Sequence, residues 1–284
     1  LKLPRILNFD IKGLLKNPLF QALAVVTAIA LFEALLFFIL PRILQEAFQN
    51  NLLWTFLPAS IISLANAGVA FFFVYKCFDS YDPADLKRKI WRFVMFAVAL
   101  MLLGHIVSIL VKFVFNVEIS RPPTWYDWLG YIWIMPCLFV ALLRQYRLVR
   151  TDSKPNSIMK YGLYGSMVVF SLILLLVSPM FSPSFISLPE RFFALWHICW
   201  SFAIVIIAIS MLSEIYSGIL SMSWKLIIAA VFVICVYYAF FIYTGSNNIL
   251  RGNDLLSVFT QTLIQSATIL IAVAGYFESK IITR

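Results

Sequence analysis

The sequence predicts an all-α fold, a polytopic membrane helix bundle of about eight transmembrane helices with both termini cytoplasmic. Three observations predict it. Hydrophobic residues make up 62% of the chain and charged residues 12%, where soluble domains run nearer one half and one quarter. Several apolar runs reach about 18 residues or more, the length at which a helix crosses the hydrocarbon core. The short alternating segments of a β-barrel are absent. Finally, the basic residues divide by side. Four lie in 1–17, five in 76–92, five in 144–160, then Lys225, Lys280 and Arg284 follow, so 17 of the 22 fall on one side of an eight-span chain. Arg42, Lys112, Arg121, Arg191 and Arg251 fall on the other. An even number of spans and that asymmetry agree, and the positive-inside rule makes the basic side cytoplasmic.

In chain order, residues 1–18 form a basic amphipathic segment along the cytoplasmic face, with Pro18 at the entry to the first span. The eight-helix transmembrane domain occupies 19–282. Its spans are predicted at 19–40 (closed by Pro41), 52–78, 91–115, 129–146, 160–181 (ended by the SPMFSPS turn at 178–184), 192–218, 226–245 and 256–282. The run from Leu19 is too long for a secretory signal, and no small-residue cleavage site follows it. The chain begins at Leu1 without Met, consistent with a start that is missing or processed. No internal repeat, low-complexity tract or soluble domain interrupts this plan. Pro58, Pro136 and Pro179 lie near span ends, where at most they bend helices.

Composition excludes several functions. The net charge of +9 is accounted for by the cytoplasmic loops, so nucleic acid is not a partner. Cys77, Cys137, Cys199 and Cys235 each lie in a different apolar run without a CxxC pair, as thiols filling helix interfaces. HExxH, GxSxG with a usable His, a P-loop and an aspartate-rich DxxD are all missing, which points away from an enzyme. The last spans lack a central Lys, so a retinal has no attachment point. The absence of repeats and broken helices weakens a transporter. Most Trp residues sit toward outer span ends, as an interfacial belt does, and the Arg121–Tyr131 stretch reads as an outer lid.

The last span is the one apolar run with polar side chains through its middle. At about 100° per residue, Ser257, Gln261, Gln265, Thr268 and Gly275 fall within roughly 80° of arc. An amide facing lipid is left unpaired, so this arc is expected to face other helices or a cavity. Ser60, Ser63 and Asn66 in the second span form a matching set, with Ser63 and Asn66 three apart on one face. Two readings stand. In one, these groups make interhelical hydrogen bonds; in the other, they floor a ligand cavity with Glu33, His105, His197, Trp196 and Trp200 nearby.

Glu33, deep in the first span, reads either as a protonated acid bonded to a neighbouring helix or as a ligand or proton contact. Lys76, Arg144, Glu214, Glu278 and Lys112 are close enough to an interface to snorkel. His105 and His197 are the only histidines and hence the only haem-ligand candidates, at about 15 Å and about 7 Å from the outer ends of their spans. No metal site is expected, and no cofactor is specified.

Function is narrowed to three classes. The first is a sensory or anchoring module that binds a small or lipophilic ligand within the bundle. Its last helix, running without a breaker into GYFESKIITR, would couple to a cytoplasmic signalling domain or partner. The second is a transporter or non-catalytic subunit of a larger complex. The third is a haem, redox or lipid-processing membrane enzyme. The bilayer is a partner in all three, and homo-oligomerisation is compatible with each.

Overall fold

The computed structural model describes residues 18–47, 52–114, 132–149, 188–215, 221–246 and 255–282. Every regular element among them is helical: α1 Pro18–Ala47, α2 Leu52–Asp79, α3 Leu86–Ile109, α4 Ile134–Val149, α5 Leu188–Ile215, α6 Met222–Ser246 and α7 Leu255–Ile282. Five carry stretches long and apolar enough to cross a membrane: Phe20–Leu40, Leu57–Asp79, Leu86–Ile109, Met222–Phe240 and Val258–Ile282. Helix α5 has a shorter apolar stretch, Leu195–Met211, and α4 is only 16 residues long. The chain is thus a membrane-embedded helical bundle. The expected segment at 1–17, the span at 160–181 and the lid at 121–131 lie outside the described residues.

Pro18 is the first residue of α1, where its missing N–H is no loss. Pro41 does not close that helix, which continues through it to Ala47. A proline ring removes one intrahelical bond, and this helix tolerates that near its end instead of stopping. Helix α3 starts at Leu86, five residues before the expected 91, because the turn ahead of it supplies a cap. The Asp85 carboxylate accepts the Lys87 N–H at 2.8 Å, and the Asp82 carboxylate accepts that of Ala84 at 2.9 Å. At its far end α3 widens into one π turn over Leu110–Val114.

The helices close on themselves. Helices α2, α3, α4, α5, α6 and α7 each pack on the next, and α7 returns to α2. Helix α1 lies outside this ring, in the groove between α2 and α7. It therefore buries one stripe, Ala22, Val26, Glu33 and Phe37, and turns Leu31, Phe32, Leu35 and Ile39 outward as a lipid-facing surface. Helix α7 is the opposite case, buried from Ala267 through Ala272 and again at Ala274 and Gly275. Lipid tails give apolar helices no hydrophobic reason to associate, so close packing and interhelical hydrogen bonds must do it. Gly275 is the clearest packing device: a Cβ there would stand 3.0 Å from the backbone of Phe73 and Val74.

Candidate functional site

Glu33, Ser63, Asn66 and Gln265 meet in one layer where α1, α2 and α7 join. The register follows from the helix ends. Glu33 lies seven residues from the Leu40 end of its apolar stretch, Asn66 nine from Leu57, and Gln265 seven from Val258. All three are thus about 10–14 Å below the same end of the bundle. Asn66 Nδ2 donates to Glu33 Oε1 at 2.7 Å and to Gln265 Oε1 at 2.9 Å. Gln265 Nε2 donates to Ser63 Oγ at 2.5 Å. Gln265 is 1% exposed, Glu33 and Ser63 5%, and Asn66 is half-buried. One atom is left over: Glu33 Oε2 is buried and receives no hydrogen bond.

The other expected site residues lie apart from this layer. Thr268, one turn below Gln265, donates to its own helix at the Ile264 carbonyl (2.8 Å) and faces Met101 Sδ across the ring at 3.7 Å. Gln261, one turn above, is half-buried, and the side chain of Ser257 is outside the described set. His197, Trp196 and Trp200 form a separate aromatic group on α5. The His197 ring lies between those of Phe193 and Tyr238, with centroids 4.1 and 4.2 Å away, and its Nδ1 pairs with the Phe193 carbonyl at 2.8 Å. The imidazole is fully buried among these rings. Trp196 Nε1 donates to the Ile132 carbonyl at 2.9 Å, and Trp200 meets Phe139 edge-on at 5.2 Å. These contacts tie α5 to the start of α4. His105 is half-buried on α3, which flanks α4 on the other side.

A second polar layer sits at the other end of α7, where sequence reasoning expected nothing. Glu278 does not snorkel. It is 3% exposed, its Oε1 accepts the Tyr81 hydroxyl at 2.5 Å, and its Oε2 accepts the weaker Ser221 hydroxyl at 3.4 Å. Tyr81 belongs to the α2–α3 turn and Ser221 precedes α6, so one carboxyl joins three elements. Burial first, and then the bond to Glu278, push the Tyr81 phenol well above its ordinary value. The rings of Trp91 and Trp224 pack beside each other at 5.6 Å in the same region of α3 and α6. Lys76 and Arg144 are exposed as expected, Arg144 lying over the Phe93 ring at 4.6 Å. Among the described residues, no three of His, Cys, Asp and Glu converge as a metal-binding group would.

No protein-family model, curated protein or solved structure matches this chain. What bears on function is therefore the chemistry of the two polar layers on α7. The upper layer was readable in sequence, because polar residues at mid-span stand out against apolar neighbours. The lower one was not, because a glutamate near a helix end ordinarily reaches water.

Proposed function

We propose that this chain is a multi-pass sensory or anchoring module of eight spans, both termini cytoplasmic. In this reading it binds a small or lipophilic ligand at the Glu33–Asn66–Gln265–Ser63 layer and passes the change along α7 to a cytoplasmic domain or partner. The observation that carries the reading is that one helix holds both polar layers. Gln265 bonds two side chains of α2, and 13 residues later, about 20 Å along the axis, Glu278 bonds the α2–α3 turn and the start of α6. A ligand that alters the upper bonds changes how α7 sits against α2, and the lower bonds are placed to register that change. The bias a ligand exerts is its difference in affinity between the two arrangements.

Hydrogen exchange on the full chain in nanodiscs tests this. Glu33→Gln and Gln265→Leu, both in the upper layer, are expected to raise exchange at 80–85 and 278–282, at the far end of the bundle. Unchanged exchange there, with the substitutions felt only locally, sinks the transmitting role.

A further inference from the structure

We propose that the Glu33 layer is a site for a small monovalent cation, for which sodium is the probe; this rests on the ligand-binding reading above and names the ligand's chemistry. Glu33 is almost wholly buried inside an apolar helix, yet Oε2 has no partner. No lysine or arginine occurs at 18–40, 52–75 or 255–279, the parts of α1, α2 and α7 that surround it. A negative charge at this depth therefore has no side-chain counter-ion on the three helices that form the layer.

The hydrogen-bond inventory points the same way. Asn66 has two amide hydrogens, and both are engaged, by Glu33 and by Gln265. One hydrogen of Gln265 is engaged by Ser63. Of the layer's five oxygens, Glu33 Oε1, Gln265 Oε1 and Ser63 Oγ accept these hydrogens. Glu33 Oε2 and the Asn66 carbonyl oxygen accept none of them, and carboxylate and amide oxygens are the ligands a hard cation takes. A single carboxylate matches one positive charge, whereas a divalent ion would leave an unbalanced charge among apolar helices.

The test is thermal unfolding of the purified full chain in nanodiscs at fixed pH, with sodium chloride replaced stepwise by choline chloride at constant ionic strength. The wild-type Tm is expected to rise with the logarithm of sodium concentration, as it does for any ligand that binds only the folded state. Glu33→Gln, which keeps size and removes charge, is expected to abolish the rise. Ser63→Ala is expected to move it to several-fold higher sodium. Tracer sodium should bind the wild type at a single site per chain, and this measurement decides the matter if Glu33→Gln fails to fold. Identical melting in sodium and choline, an undiminished rise in Glu33→Gln, or a response to pH alone overturns the proposal. Such a failure leaves the exchange test of the two layers standing. Conversely, sodium binding without any change at 278–282 removes the sensory role and leaves the cation site.

Discussion

Gln265 ties α7 to α2 through two side chains, since its amide bonds both Asn66 and Ser63. Replacing it with Leu keeps the bulk, removes both bonds and leaves Ser63 without its donor. Interhelical hydrogen bonds in membranes average about 0.6 kcal/mol each and reach about 1.7. Gln265→Leu is therefore expected to destabilise the bundle by about 1–2 kcal/mol, seen as a lower Tm in detergent; an unchanged Tm would mean the amide serves a cavity instead. Tyr81 allows a second test with a definite sign. Its phenol is held protonated in the folded state above the ordinary value of 10.0, by burial and then by Glu278. The folded state thus keeps a proton that the unfolded chain releases first. The stabilisation is complete below that ordinary value and is lost as pH rises beyond it. Melting wild type and Tyr81→Phe from about pH 8 to about pH 11 should show wild type ahead at the low end and the gap narrowing at the high end. Of these residues, Gln265 could be singled out in the sequence by polarity at depth. Tyr81 could not, because its partner lies 197 positions away.

Helix contacts add constraints that no single side chain reveals. The polar arc on α7 correctly indicated its inward face, since it is defined by angle alone. Gly275 belongs to that arc for another reason, the close approach of the α2 backbone at Phe73 and Val74. Backbone cannot move aside as a flexible side chain can. Gly275→Ala is therefore expected to lower stability by about 1–3 kcal/mol, even though Ala favours helix by about 1 kcal/mol over Gly. Gly68 is the control: a Cβ there meets nothing within 4 Å, so Gly68→Ala should leave Tm unchanged or raise it. Equal effects at the two glycines would contradict the packing of α2 on α7. Span ends were less legible than faces. The Asp82–Asp85 turn moved the start of α3 outward, while Pro41 ended nothing, because capping and tolerance of a proline are set by local bonding that hydropathy does not register.

For the whole bundle, composition announced membrane helices at once, but the closure of α2 through α7 with α1 outside depends on contacts between distant segments. The Tyr81–Glu278 and Ser221–Glu278 bonds impose a condition on topology that a charge count alone does not. The α2–α3 turn, the start of α6 and the end of α7 must share one side of the membrane. That end also carries Lys87, Arg88, Lys89, Lys225 and Lys280, and from the positive-inside rule we propose that it is the cytoplasmic one. Single cysteines in place of Asp82 and Lys280, in a chain with Cys199→Ala, separate these statements. A membrane-impermeant thiol reagent added to intact cells is expected to label neither, and to label both once the membrane is opened. Labelling of both from outside would reverse the orientation and keep the bundle. Labelling of one without the other would separate the two sides of the Glu278 contact, and the packing of α7 against the α2–α3 turn would go with it.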